Sequence, residues 1–272
     1  MENLQIVDAQ ADEEFRRLVR EVFPKSYQWE ERYVDHEMQH IRWMLHPDLC
    51  GVDGREVLEL GCNIGATAIV SAFSGARVTG VDLNPDYLEV AALNAKRYGL
   101  AERIHFQQVT EGTPLPFPPE SFDVIICNSV LEYVKHPGLP KLQSNLDQLL
   151  KPGGLLLVFG TSNRIWPMEV HSGQWFTNYL PHTLDPWLNR PARRGVWPWQ
   201  ARWGFGRYDD VIAGRGADAY LQIKQAMGLK GKKLAVFQSI CRVCAILRIS
   251  PGLLTSSMTV LLQKPIARGQ NH

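Results

Sequence analysis

A chain of 272 residues is long enough to bury one substantial α/β core with an elaboration, and shorter than two independent folds of that size require. Its 29 Lys and Arg against 28 Asp and Glu leave a formal charge of +1, which excludes a global field drawing the molecule onto a polyanion and makes nucleic acid an unfavoured partner. The polar, acidic start MENLQIVDAQADEEFRRLV lacks the texture of a secretory signal. No run approaches the roughly 18 apolar residues of a membrane span, so the expectation is a cytoplasmic protein with at most peripheral membrane contact.

Residues 11–45 carry apolar side chains at helical spacing, with Phe15, Leu18, Val19 and Val22 on one stripe and Met38, Ile41, Met44 and Leu45 on a later one. This predicts two helices ahead of the core. From Arg55 short apolar runs alternate with amphipathic stretches: EVLEL, AIVSAF, RVTGVD, YLEVAALNAKRYG, RIHFQQV, FDVIICN, LPKLQSNLDQLL and GLLLVFG. Strand and helix periods exchange about every ten to fifteen residues, the pattern of βαβ units feeding a parallel sheet. Five strands are complete by Gly160. Residues 161 to 230, rich in Trp, Pro, Gly and Arg, break the rhythm and predict an insertion between the fifth and sixth strands. KLAVFQSICRVCAIL and SSMTVLLQK then predict the last two strands, paired antiparallel through a turn at Ser250, Pro251 and Gly252.

Five cysteines, Cys50, Cys62, Cys127, Cys241 and Cys244, form no spaced framework. Cys62 and Cys127 sit in apolar surroundings that suit reduced thiols, and Cys241-x-x-Cys244 lacks the second pair of a zinc site, so no metal is expected.

The first strand-turn-helix reads VLELGCNIGATAIV from Val57 to Val70. Glycines at 61 and 65 let the backbone approach a ligand closely, and a helix starting after Gly65 points free N–H groups into the turn. Asp82 ends the second strand about twenty residues later, where a carboxylate can bond both ribose hydroxyls of a nucleoside lying across the strand tips. The combination points to an adenosine-containing cofactor and leaves NAD and S-adenosylmethionine both open.

Beyond this point the sequence resembles the class I S-adenosylmethionine-dependent methyltransferases. Glu59-Leu60-Gly61-Cys62-Asn63-Ile64-Gly65-Ala66 is similar to their first motif, E/D-x-G-x-G-x-G, with Asn63 and Ala66 departing from the commonest residues. Asn tolerates the left-handed φ such a turn requires. Glu111-Gly112-Thr113-Pro114-Leu115-Pro116-Phe117 looks like the stretch whose acidic residue meets the adenine amino group, with Glu111 where Asp is usual. Asn128-Ser129-Val130-Leu131-Glu132-Tyr133-Val134 looks like the segment lining the transfer site, and Leu149-Leu150-Lys151-Pro152-Gly153-Gly154 like the turn before strand five. The resemblance implies S-adenosylmethionine bound by Glu59, Gly61, Asn63, Gly65, Asp82, Leu83, Glu111, Gly112 and Asn128, with Glu59 near the amino group of the methionine end. It also implies an α/β fold: a Rossmann-like seven-stranded mostly parallel sheet with helices on both faces. The organisation expected is a helical lid at 1–50, the cofactor core at 51–160, an acceptor-binding insertion at 161–230 and the last two strands at 231–272.

In-line methyl transfer asks the protein to hold the acceptor at near-attack distance and exclude water, and needs a base only for a protonated acceptor. After the fifth strand, FGTSNRIWPMEVHSGQWFTNYLP offers His171, which titrates near neutrality, with Glu169 or Asn163 to orient it. Asn163, Arg164, Trp166 and Trp175 are candidate acceptor contacts, as are His36 and His40, one helical turn apart on the N-terminal lid, with Tyr27 and Arg32 beside them. The insertion holds six of the eight tryptophans, Trp166, Trp175, Trp187, Trp197, Trp199 and Trp203, and interleaves them with Arg190, Arg193, Arg194, Arg202 and Arg207. Such a segment can wall a small-molecule or lipid-like pocket, stack nucleic-acid bases, or form a plain subdomain. O-methylation of a small or lipid-like hydroxylated metabolite is the expected chemistry. The alternatives are N-methylation, methylation of RNA or protein, and a methyltransferase-like protein that binds without transfer.

Overall fold

The structure is a computed structural model that describes residues 4–134, 138–181, 184, 194–247 and 249–266. Trp187, Arg190 and Arg193 of the insertion lie outside the described residues. The strands are β1 (Glu56–Leu60), β2 (Arg77–Asp82), β3 (Ile104–Gln108), β4 (Phe122–Asn128), β5 (Leu150–Ser162), β6 (Asp209–Asp210) and β7 (Ser257–Gln263). They form one seven-stranded sheet in the order β3-β2-β1-β4-β5-β7-β6. β1 is parallel to both β2 and β4, β2 is parallel to β3, and β6 with β7 is antiparallel. The chain divides into two compact units, Met1–Asn128 with Leu149–Leu155, and Ser129–Gln148 with Leu156–His272.

In the first unit the register pairs Leu60 with Val81 and with Cys127. The turn after β1, Asp82 at the end of β2 and Asn128 at the end of β4 therefore gather at one sheet edge. Val57, Leu58, Glu59 and Leu60 are all buried, as expected of a parallel strand covered on both faces. The connecting helices are α4 (Ala66–Phe73) and α5 (Pro85–Arg97); Asn84 caps α5 by accepting from the Asp86 N–H.

The N-terminal segment forms α1 (Ala9–Val22), then α2 (Tyr27–Glu30) and α3 (Tyr33–Gln39), which divide the second predicted helix into short pieces. Phe15 and Val19 of α1 pack with Ile64 and Val90. A buried Arg97, 1% exposed, fixes this docking. Its guanidinium lies 3.7 Å from the centroid of the Phe15 ring and donates to Asp12 at 2.9 Å and to Asn94 at 2.8 Å. The Asn94 amide continues to the Ile64 carbonyl at 2.7 Å.

In the second unit α6 (Gly138–Leu149) is tied through Gln143 to α7 (Pro198–Arg202), because the Gln143 side chain donates to the Gln200 carbonyl and accepts from the Gly204 N–H. Two helices follow, α8 (Ala217–Ala226) and α9 (Gly231–Leu247). The reading of residues 233–247 as a strand is corrected here, since they lie within α9. The residues α9 buries, Phe237, Cys241 and Cys244, recur at spacings of four and three, and no turn residue interrupts the run. Apolar clusters at both ends mimic a strand while the buried positions keep the helical period. The sixth strand is instead Asp209–Asp210, inside the segment read as the insertion, and it pairs with Gln263 and Leu262 of β7. Residues 251–253 form a single 3-10 turn between α9 and β7 rather than a hairpin. The thiols of Cys241 and Cys244 are buried and free, and among the described residues no His, Cys, Asp and Glu group is arranged to hold a metal.

Arg97→Met should lower stability by about 3 kcal/mol in urea unfolding, because the Asp12 and Asn94 side chains lose their shared donor. An unchanged midpoint would show that the bridge contributes nothing to the docking of α1.

Candidate active site

The turn between β1 and α4 is built from left-handed residues: Gly61 at φ 66°, Asn63 at 48° and Gly65 at 74°. Asn63 thus occupies the conformation for which an Asn is suited where the common motif has Gly. A Cβ on Gly65 would come within 2.8 Å of the Phe106 ring and 3.2 Å of Ala91, so packing as well as dihedral requires glycine there. Asp82 clamps the turn: one carboxylate oxygen accepts the Asn63 N–H at 2.9 Å and the other the Asn84 N–H at 3.0 Å. Each oxygen retains a lone pair for a ribose hydroxyl. Leu83 beside it is an exposed apolar side chain on which a base can lie, and Glu111 with Gly112 (φ 81°) is exposed beyond β3.

Beneath the turn the first unit buries three carboxylates. Glu30, Glu37 and Glu59 are 6%, 2% and 3% exposed, and Oε2 of each has no hydrogen-bond partner. Burial pushes Glu59 well above the ordinary carboxylate range, the neighbouring Glu37 adds to this, and hydrogen bonds from the Thr67 hydroxyl and Ala68 N–H offset it only in part. Burial lifts Glu37 to about 7 against bonds from Asn128 and Tyr33, and burial raises Glu30 as well. The Asn128 amide also donates to Thr67 Oγ1 at 2.9 Å, so Glu37, Asn128, Thr67 and Glu59 form one connected set. Buried carboxyls with unpartnered oxygens suit a cationic ligand, and S-adenosylmethionine carries a sulfonium and an amino group. The residues present therefore fit the cofactor that the resemblance implies. Glu59 and Asn128 are among the residues that the resemblance implies. Glu30, Tyr33 and Glu37 were missed, although acids at 30 and 37 fall on the stripe that continues through Val34, Ile41 and Met44.

His36 and His40 pack against each other in the first unit. Their rings stack at 4.0 Å, Trp29 lies 4.9 Å from His36, and His40 Nδ1 meets the His36 carbonyl at 2.7 Å. Burial and then His40 lower His36 to about 4, leaving it neutral at physiological pH.

In the second unit His171 Nε2 meets Glu132 Oε1 at 2.7 Å, and the same oxygen accepts the Ser162 N–H at 3.2 Å. Glu132, quoted in the motif after β4 but given no role there, is thus the carboxylate that orients His171. Glu169 does not take that part: its oxygens accept the backbone N–H of His171 at 3.0 Å and of Ser172 at 2.7 Å, which shapes the turn carrying the histidine. Burial opposes its ionisation, yet the bonds from Ser172 and from the His171 N–H hold its carboxyl below the ordinary value. Asn163 is buried and donates to the Leu253 and Thr255 carbonyls; Arg164 donates to the Asn178 carbonyl and Trp166 to the Leu254 carbonyl. These three bind backbone rather than converge on His171. Trp175, 62% exposed, bridges to Met168 across the turn, and Phe176 beside it is 60% exposed, so apolar surface flanks the histidine.

One pH dependence follows from the first unit. Glu37 is raised to about 7 from 4.5, so below about 4.5 both states hold its proton, and its contribution to stability is lost as pH rises through 7. Glu37→Gln should remove that loss, on the order of 3 kcal/mol, and stabilise the protein relative to wild type at pH 8 but not at pH 4.5. Equal midpoint shifts in urea at both pH values would contradict this.

Comparison with known proteins bears on the same residues. A family model described as a methyltransferase domain matches residues 57–154. The chain is similar to a ubiquinone biosynthesis O-methyltransferase of Pseudomonas savastanoi pv. phaseolicola, with 27% identity over 214 residues, 75% of this chain and 82% of that protein. It is similar also to the protein of that name from Histophilus somni, with 38% identity over 161 residues, 56% of this chain and 65% of that protein. A solved SAM-dependent methyltransferase of Methanosarcina mazei is 15% identical, with a TM-score of 0.49 over 78% of this chain and 93% of that one. The matched stretch holds the left-handed turn, its Asp82 clamp and the buried Glu59 at the edge of a Rossmann-like sheet, and residues 57–154 form a methyltransferase domain.

Proposed function

We propose that the chain methylates a hydroxyl of a small, lipid-like acceptor, with His171 as the base. The observation that carries this reading is the 2.7 Å contact between His171 and Glu132. With Nε2 donating to a carboxylate, Nδ1 is the nitrogen that takes a proton. Bound S-adenosylmethionine supplies an electrophilic methyl group on its sulfonium. His171 would remove the proton of the acceptor hydroxyl as its oxygen bonds the methyl carbon and the carbon–sulfur bond breaks to leave S-adenosylhomocysteine, and Glu132 would hold the ring and balance the imidazolium that forms. Met168, Trp175 and Phe176 offer apolar contact and exclude water from the attacking oxygen. The names of the similar proteins, both O-methyltransferases of ubiquinone biosynthesis, support an acceptor with apolar character.

A membrane surface is the partner that suits such an acceptor. Among the described residues no helix is long and apolar enough to cross a membrane. Yet Val236, Val243 and Leu247 of α9 form a stripe at helical spacing, each more than half exposed, and Ile246 beside them is 81% exposed. Lys232 and Lys233 stand one turn before Val236, and Arg242 flanks the stripe; all three are exposed. Eight Lys and Arg and no Asp or Glu follow Asp218, a charge of +8 against −7 for the rest of the chain. An apolar helix face in a basic segment matches an anionic bilayer. We assign this face to peripheral contact with one.

His171→Asn should cut turnover by roughly 10² or more while cofactor affinity stays unchanged, and Glu132→Gln should lower the rate with cofactor affinity likewise retained. An unchanged rate in the His171 variant would overturn the base and favour a neutral amine acceptor, which needs none. Co-sedimentation with phosphatidylglycerol vesicles at low salt should be lost on Lys232→Glu with Lys233→Glu, and phosphatidylcholine vesicles should not bind. Failure of the wild type to sediment, or a concentration-dependent dimer lost on Val243→Asp, would show that a second copy or nothing covers the face.

A further inference from the structure

We propose that Glu37 on the N-terminal helix shares with Glu59 the seat for the amino group of the cofactor's methionine end, and so selects ligands that carry that amino group. Glu37 lies outside the matched methyltransferase stretch, which begins at residue 57. Its carboxylate is nonetheless joined to that stretch through Asn128, which donates to Thr67, itself bonded to Glu59. Glu37 and Glu59 are each at least 97% buried, and each has an oxygen without a partner.

The groups around Glu37 supply no counter-charge. Tyr33 and Glu30 face it from its own segment, Glu59 from β1, and Asn128 from β4; Asp82 and the Cys62 thiol stand near Glu59. None of the ion pairs among the described residues involves Glu30, Glu37 or Glu59, and no metal cluster forms there among those residues. Two unpaired buried carboxylates are costly unless one is protonated or a cation arrives. An ammonium has three donors and full charge, which answers both unpartnered oxygens with charge-assisted hydrogen bonds. A water would supply hydrogen bonds without the charge. The cofactor's amino group is the ammonium that the proposed reaction provides, and its binding would release the proton that the pair holds when empty.

The test compares S-adenosylhomocysteine, which keeps the amino acid end, with 5′-methylthioadenosine, which lacks it. In titration calorimetry at pH 6.5 in two buffers of different ionisation enthalpy, S-adenosylhomocysteine should bind with net proton release and methylthioadenosine without it. Glu37→Gln should weaken S-adenosylhomocysteine about tenfold or more, leave methylthioadenosine within about twofold, and reduce the proton release. Its melting temperature without ligand should not fall, which separates a ligand seat from a purely structural residue. Equal losses for both ligands, no loss for either, or no proton release by the wild type would overturn the assignment. Failure of both nucleosides to bind wild type would instead remove the cofactor reading on which it rests.

Discussion

The site depends on one mechanical constraint, a left-handed turn that must be held open against the tendency of a glycine-rich loop to sample many conformations. Two carboxylates are tied to it. Asp82 takes the Asn63 N–H directly. Asp12 acts at a distance, through Arg97 and Asn94, whose amide grips the Ile64 carbonyl. The second path explains a full-length arginine 1% exposed in a helix packed on the sheet. It joins the first N-terminal helix to the turn through three side chains and one carbonyl.

Against this frame the buried acids are a deliberate conflict. Folding alone would favour apolar residues at 30, 37 and 59, where the present side chains lose hydration and gain no cation. A ligand bearing positive charge would resolve the conflict. The second unit handles charge in the opposite way. There Glu132 and Glu169 are met by N–H donors and a histidine ring.

Much of the first unit was legible because its signals are local. The strand runs, the glycines at 61 and 65, and Asp82 at a strand end follow from periods of two and 3.6 and from turn chemistry. What escaped was non-local or ambiguous in period. Glu37 acquires meaning only when α3 brings it to Asn128, ninety-one positions later in the chain. Glu132 rather than Glu169 meets His171, because which carboxylate reaches an imidazole depends on the path of a turn that sequence spacing does not specify. Asn163, Arg164 and Trp166 each donate a side-chain hydrogen bond to a loop carbonyl, because buried irregular backbone needs such partners. The sixth strand, two residues long, has no periodicity to detect, and α9 was mistaken for it because its exposed stripe is as apolar as its buried one.

The measurement that tests the central claim most directly is the melting temperature of the purified protein alone and with S-adenosylmethionine, S-adenosylhomocysteine or NAD. A ligand at 100 times its dissociation constant stabilises by roughly 2.7 kcal/mol, which a melting curve resolves. The account predicts a clear rise with both sulfur nucleosides and none with NAD. A rise with NAD alone, or with no ligand, would contradict the assignment of the turn, its Asp82 clamp and the buried carboxylates to S-adenosylmethionine.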